Sequence, residues 1–416
     1  MEEYDQLLVL RNAVHVRRGL AGQLATGLGS GFGSRTGSRT AAASGAGAAS
    51  GAPAGAVDSG QRALLEASVA RVAPRAAELV AWFYARLFAT RPYLRGLFPA
   101  DMADQHDRLL TALLALVADC DRRDVLGPRL ARLGRDHRKY GVRTVHYAGV
   151  GETLVAALAH FSGTGWDPAT EAAWLRLYTY AMTVMTEAAD SADDEPPYWY
   201  ATVVAHELRR PDLAVLGLRP AAPYRYTAGQ YTTVESARLA RLWKPYSLAT
   251  RPESGNLLEL HVRALEPGGL SEVLVHRTSV GDTLRLGPPL GDLTLPADPR
   301  AKLLLVAGGT GLAPIKALLQ EAVRTREITV IRLLLAGRDR DDLYDLDALG
   351  ELAARHRHVD VRPVVDVDPT ALLDQVPDLA GHEIYVAGPP EMTRAVLTRL
   401  AELDVPPGQV HHDPDY

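Results

Sequence analysis

The chain carries one cysteine, Cys120, in 416 residues, so no internal disulfide framework is open to it. Cys120 lies in the apolar run LLALVADC, where an inert buried thiol is expected, and a reducing cytoplasm fits that usage. Long hydrophobic runs are also missing. None approaches the roughly 20 apolar residues that cross a bilayer, so no membrane span is expected. An excess of positive charge is missing as well: the formal net charge is −5, with no dense basic cluster, and nucleic acid is not an expected partner. Acidic residues are in turn absent from residues 6–57, which drift into Gly, Ala, Ser and Thr. Such a stretch buries too little apolar surface to offset its ordering entropy. It also lacks the clean apolar core and cleavage site of a targeting peptide. Residues 1–58 are therefore read as a disordered tail.

What remains is rich in core-forming residues, with 47% hydrophobic content and length for two or three domains. Over 59–193 apolar residues recur at helical spacing, as in LLEASVARV, LVAWFYARLF and LLTALLALVADC, which predicts an all-α domain. ADSADDEPPYWY then brings acidic residues and a Pro-Pro pair that stop helix. Over 194–298 short alternating runs bounded by Gly and Pro (YATVVAHEL, LAVLGLRP, GQYTTVE, NLLELHVRAL) predict a small antiparallel β-barrel. Over 299–416 the runs KLLLVAG, EITVIRLLLAG, VDVRPVVD and HEIYVAG alternate with helical stretches, the pattern of a parallel-sheet, Rossmann-like α/β domain.

KLLLVAGGTGLAPIKALL sets Gly308, Gly309, Thr310 and Gly311 between a strand and a helix that carries Pro314 in its first turn. Glycine there lets backbone N–H groups and the helix N-terminus face a pyrophosphate. Upstream lie AGQY (Gly229–Tyr231), KPYSLA (Lys244–Ala249) and EPGGLS (Glu266–Ser271); downstream lies IYVAGPPEM, with Gly388 and Pro389. These segments, in this order, resemble the ferredoxin reductase superfamily, in which the barrel carries FAD and the next domain a nicotinamide nucleotide.

That resemblance implies that Tyr231 and Tyr246 flank the flavin, Ser247 sets a hydroxyl near its reactive nitrogen, and Lys244, with Pro245 beside it, and Ser271 hold the pyrophosphate. The alternative for the aromatics is that they fill a barrel core. Three departures stand out. Lys244 replaces the usual Arg, trading a bidentate fork for a point charge. Ala387 stands where many members have Cys. No aromatic in the terminal HHDPDY aligns with the residue that covers the flavin, leaving Tyr416 as the candidate. Arg338, after the second strand of the last domain, is placed either to meet a ribose 2′-phosphate, favouring NADPH, or to be a solvated surface arginine.

In the helical domain, LGRDHRKYGV puts His137 at a helix end, and Tyr147 leads the next helix ten residues on. A lone histidine is usually no ligand. Here Tyr84 and Phe98 precede it, Gln105 and Leu109 share one helical face, and Glu187 follows on an apolar stretch where a buried carboxylate needs a partner. This set resembles the globin domain of flavohaemoglobins, with His137 as the proximal haem ligand, although the stretch between Phe98 and Gln105 is a few residues short. The resemblance implies that Glu187, supported by Tyr147, accepts a hydrogen bond from the far nitrogen of His137. Tyr84 and Gln105 would then donate to bound O₂, with Leu109 and Phe98 filling the space around it. The bland reading of Glu187 and Tyr147 is a structural pair between helices. His106, His146 and Asp136 are expected to face solvent.

The implied activity is nitric oxide dioxygenase: electrons from NADH or NADPH pass through FAD to haem b, and nitric oxide is oxidised with O₂ to nitrate in a cytoplasmic monomer. Replacing Glu187 by Gln is expected to leave haem bound and to slow that oxidation. The rivals are a reductase of the same build serving another haem redox substrate, and a haem-based gas or redox sensor. No recognisable signalling output follows the globin.

Overall fold

The computed structural model describes residues 57–412 apart from 253, 299, 326–329, 367–369 and 375. The expected tail and Tyr416 lie outside the described residues, save that Asp58 opens the first helix. Its carboxylate accepts from the Gln61 N–H at 2.8 Å while the Gln61 side chain accepts from the Asp58 N–H, a reciprocal box that satisfies two of the end donors. Six helices follow: α1 (Ser59–Val72), α2 (Ala76–Thr90), α3 (Ala103–Ala118), α4 (Arg123–His137), α5 (Thr144–Ser162) and α6 (Pro168–Asp190). None of the described helices is long and apolar enough to cross a membrane.

The described residues fall into two compact units. One holds those up to Pro92 with Ala103–Leu130 and Val145–Val184; the other holds Tyr93–Met102, Ala131–Thr144 and all from Met185 onward. The division runs through α4 and α6, so the end of α4 bearing His137 belongs to the unit of the β-strands. The first unit is cored by Leu65, Phe83, Leu87, Leu158, Trp174 and Leu177. Within it Trp174 donates from its indole to buried Ser68 Oγ at 3.1 Å, and buried Asp119 is neutralised by Arg122 and Arg129. Cys120 is buried and burial raises its thiol pKa, so the expected inert thiol is what the fold provides.

In the second unit, β1 (Trp199–Arg210), β2 (Leu213–Pro220), β3 (Tyr231–Ser236), β4 (Lys244–Ser247), β5 (Leu258–Arg263) and β6 (Thr283–Leu286) form an antiparallel sheet in the order β4-β3-β6-β1-β2-β5. A Leu248–Leu260 bridge joins its two edges, so the barrel is nearly closed and presents little open edge. β7 (Lys302–Gly308), β8 (Ile331–Gly337), β9 (Val359–Val365), β10 (His382–Ala387) and β11 (Val410–His412) form a parallel sheet in the order β11-β10-β7-β8-β9. The helices α7 (Leu312–Thr325), α8 (Leu346–Arg355) and α9 (Pro390–Glu402) accompany it. β7 is buried along nearly its whole length. Leu303, Leu305 and Ala307 pack in one core, and Leu304 and Val306 in another. Two covered faces explain why β7 reads as an unbroken apolar run. Chain order reverses between β7 and β10, and the crevice beyond such a reversal is where doubly wound sheets take ligands.

Candidate functional site

The glycine turn stands at that reversal. Gly308 ends β7, Gly309 takes φ 53°, in the left-handed region, and α7 starts at Leu312. A Cβ on Gly311 would collide with the backbone of Ala387 and Gly388, and one on Gly308 would meet the Met392 sulfur at 2.6 Å. The turn and the end of β10 therefore approach as bare backbone, leaving the first N–H groups of α7 to face the crevice. Pro314 fits this first turn because no intrahelical partner is needed there. Pro389 precedes α9.

A part-buried polar chain, with His261 buried at its centre, secures the turn to the barrel. The Tyr344 hydroxyl donates to the Gly309 carbonyl at 3.3 Å and lies 2.7 Å from His261 Nδ1. His261 Nε2 is 2.9 Å from Glu259 Oε1, and Lys316 Nζ of α7 lies 2.8 Å from Glu259 and 2.6 Å from Asp345. Burial alone would raise the Glu259 pKa, but the His261 hydrogen bond and the Lys316 charge overcome it and hold the carboxyl at about 2.

Arg338 is exposed, and its Nε holds Asp342 at 2.9 Å. Asp342 also meets Arg263 at 3.0 Å and Arg210 at 3.3 Å. Arg338 donation and the Arg263 contact outweigh desolvation and depress its pKa far below the carboxylate range. Beside this cluster a cavity of about 430 Å³ is lined by Arg209, Arg210, Arg340, Tyr344 and Asp347, among others. Sequence reasoning missed Arg209, Arg210 and Arg340, since only folding brings the β1–β2 hairpin beside the loop after β8.

On the barrel, Tyr231 pairs with Ser247 and Thr232 with Tyr246. Strand alternation therefore puts Tyr231, Thr233, Pro245 and Ser247 on one face and Thr232, Val234, Lys244 and Tyr246 on the other. Tyr246 packs against the barrel core, with its phenol pKa raised by burial. The structure thus divides the two tyrosines between faces. Tyr231 lies over Gly291, where a Cβ would come within 2.9 Å of its ring. EPGGLS does not open a long helix: Leu270–Glu272 is a single turn running into a π-turn at Val273–Arg277. Ser271 Oγ accepts from the Leu265 N–H at 3.2 Å.

At the end of α4, His137 Nδ1 is 2.8 Å from the Leu133 carbonyl. A carbonyl only accepts, so Nδ1 carries the proton and the lone pair lies on Nε2. Burial lowers the His137 pKa and keeps the ring neutral, the form that ligates metal. Among the described residues no cluster of three or more His, Cys, Asp or Glu suits a bare metal ion. A single neutral imidazole instead suits an iron whose remaining donors come from a porphyrin.

Glu187 departs from expectation. Its side chain is exposed, and the hydrogen bond assigned to it goes to Leu133. α4 and α6 cross so closely that a Cβ on Gly134 would collide with the Met185 backbone. α6 thus turns Met185 inward and Glu187 outward. In the other unit Tyr84 is buried; its hydroxyl donates to the Gln105 backbone carbonyl at 3.3 Å, and burial raises its pKa. Gln105 and Leu109 are half-buried on α3. Tyr147 is half-buried with its phenol pushed up to about 12 by burial, and its carbonyl accepts from Tyr178 at 2.6 Å. Phe98, in the unit of His137 and the β-strands, is half-buried and closes a turn with its N–H on the Arg95 carbonyl at 3.2 Å.

Three further expectations are corrected. His146 is buried, on the inward face of α5 that Gly149 and Thr153 continue at helical spacing. His106 stacks on Tyr84 with centroids 5.1 Å apart and planes 9° apart. Asp136 is half-buried and paired with Lys139 Nζ at 2.5 Å.

Three family models match the chain: globin over residues 81–185, oxidoreductase FAD-binding domain over 201–295, and oxidoreductase NAD-binding domain over 305–398. The ferredoxin–NAD(P)⁺ reductase component of naphthalene 1,2-dioxygenase/salicylate 5-hydroxylase systems from a Ralstonia species is 32% identical over 226 residues, which is 52% of this chain and 68% of that protein. A flavohemoprotein of Bordetella parapertussis is 29% identical over 387 residues, 84% of this chain and 96% of that one. The crystal structure of flavohemoglobin from Malassezia yamatoensis, with bound FAD and heme, shares the fold with a TM-score of 0.69 at 18% identity, covering 86% of this chain and 98% of that one. With a globin followed by FAD-binding and NAD-binding reductase domains, and with flavohemoprotein relatives along most of its length, the chain belongs to the flavohaemoglobins, a family of flavoprotein oxidoreductases.

Proposed function

We propose that the chain is a nitric oxide dioxygenase working in the cytoplasm as a monomer, with a globin of residues 59–193, a flavin barrel of 194–298 and a nucleotide domain of 299–416. The observation that carries this reading is His137: a neutral imidazole, presented by Nε2, in the same compact unit as the flavin and nucleotide strands. Haem and FAD, when bound, supply the redox chemistry, because flavin divides the two electrons of NAD(P)H into single steps and haem directs them to O₂.

The chain's residues bind and orient. Gly308–Gly311 and Gly388 offer bare backbone N–H groups to a pyrophosphate. Tyr231 presents an apolar ring and Ser247 a hydroxyl to a flavin on the outer face of β3 and β4. Ser271 is its pyrophosphate partner in this reading, whereas Lys244, expected to share that role, lies on the β4 face opposite Ser247, with Pro245 stiffening the strand between Lys244 and Tyr246. Tyr84 is a neutral donor, since its pKa is raised, and in this reading it and Gln105 would donate to bound O₂, with Phe98 and Leu109 as the apolar residues beside it. The cluster of Arg338, Arg340 and Arg209 favours NADPH. Exposed Glu187 favours one second reading, that the same reductase serves another haem redox substrate, because it withholds the proximal push expected of a dioxygenase.

The test is anaerobic reduction of the purified protein by NADH or NADPH, then exposure to air and nitric oxide with haem and flavin absorption followed. Haem reduction, rapid loss of nitric oxide and formation of nitrate support the dioxygenase. Reduced flavin with oxidised haem, or reduced haem that leaves nitric oxide intact, removes it.

A further inference from the structure

Lys139 is the one charged residue among the largest fully buried side chains of the described chain. It follows His137 by two residues, in the short turn Arg138–Tyr140 that ends α4. Its ammonium lies 2.5 Å from Asp136 Oδ1 and 2.8 Å from Thr233 Oγ1 of β3, and sits 5.2 Å from the ring centroids of both Tyr140 and Trp243. Thr233 shares the outer face of β3 with Tyr231, two residues away. Its own position is fixed, since its carbonyl accepts from the Gly287 N–H at 2.7 Å and a Cβ on Gly287 would collide with its hydroxyl. Neighbouring bonds run in parallel. Arg138 donates to the Glu195 carbonyl at 2.7 Å, and Arg241 donates to the Tyr140 carbonyl at 3.3 Å.

We propose that Lys139 is a positioning residue that locks the His137 end of α4 onto the flavin-bearing strand β3, so that the imidazole and the Tyr231 face keep one separation and one orientation. Apolar packing would hold the two elements together without choosing among sliding positions. A buried ammonium chooses, because it must keep its carboxylate and its hydroxyl at hydrogen-bond distance or leave a charge unsatisfied. Two aromatic faces complete the cage and exclude water from it. Asp136 neutralises the charge from within α4, so Thr233 is the bond that crosses to the barrel. The inference rests on the proposed function, in which electrons pass from flavin to haem across this junction.

Thr233→Val keeps shape and leaves the Lys139–Asp136 pair, and Lys139→Met removes the charge; each is compared with the intact holoprotein. Two quantities are read: the flavin-to-haem electron-transfer rate by anaerobic stopped flow, and amide exchange over residues 137–144 and 231–236. The expected result is transfer slowed by about tenfold or more and faster exchange in both segments. FAD and haem content, flavin reduction by NAD(P)H and exchange in α7 stay at wild-type values. Unchanged transfer in Thr233→Val overturns the positioning role, and unchanged exchange overturns the lock. If the unaltered protein passes no electrons from flavin to haem, the proposed function and the electron-transfer role fall together, and the exchange data still decide the lock on their own.

Discussion

Arg338 Nε holds the Asp342 carboxylate at 2.9 Å while most of the Arg338 side chain, 76%, stays exposed. The guanidinium is thus pre-set on one side and open on the other, the posture of a group that meets a phosphate without first being ordered. Replacing Arg338 by Gln is expected to raise KM for NADPH by about tenfold and to leave KM for NADH within about twofold, since a charge-assisted hydrogen bond contributes about 1.5–3 kcal/mol. Steady-state flavin reduction with both nucleotides measures this. Equal changes for both would return Arg338 to the role of a surface arginine bracing the Asp342 cluster.

Glu187→Gln separates the two accounts of the proximal side. With His137 Nδ1 donating to the Leu133 carbonyl and Glu187 exposed, the substitution should change nitric oxide consumption by less than about twofold, as surface changes usually do. A tenfold loss with haem still bound would show that the carboxylate turns onto the imidazole in the loaded protein, as the spacing alone suggests.

Tyr84→Phe removes a hydroxyl whose bond to the Gln105 carbonyl is long at 3.3 Å and is therefore surrendered cheaply to a better acceptor. O₂ dissociation, followed by stopped flow, should accelerate about three- to tenfold, the value of one ordinary hydrogen bond. Burial raises the phenol pKa, so the wild-type rate should be flat from pH 7 to about pH 9, where an unperturbed tyrosine is still largely neutral. A rate that climbs within that range would assign a different donor.

Glu259 links stability to acid. Its pKa falls from 4.5 to about 2 on folding, so its stabilisation is complete above pH 4.5 and disappears as pH drops toward 2. The depression corresponds to about 3 kcal/mol. Glu259→Gln should lower Tm near pH 7, and the gap from wild type should close between about pH 4.5 and pH 2. A gap that persists at low pH would mean that the loss comes from packing.

Much of this arrangement was legible in the residue order, and the rest depended on rotation and partnership. KLLLVAG reads as a strand of a parallel sheet, and β7 is one with the same bounds, Lys302–Gly308. Helical spacing in LLEASVARV, LVAWFYARLF and LLTALLALVADC predicts an all-α region, and those runs fall on α1, α2 and α3. Glu187 has the family spacing, yet spacing does not say which way the last turns of α6 face once Met185 is pressed against Gly134. His146 is polar by type and buried by position. Lys139 sits in the charged string RDHRK, and its deciding partner Thr233 is 94 positions away. No local pattern encodes a bond of that reach. The face that each barrel tyrosine takes was not legible, because that requires the pairing register of β3 with β4.

The chain of contacts from Gly309 through Tyr344, His261 and Glu259 to Lys316 bears on timing. A nucleotide domain hung on a loose hinge must swing shut at each turnover, and that search sets the pace. Here the glycine turn is tied to the barrel by part-buried charges linked in series, each of which would lose a partner if the chain of contacts opened. The two reductase modules should behave as one stiff piece, already closed before the nucleotide arrives. The pace would then be set by arrival and departure of the nucleotide itself.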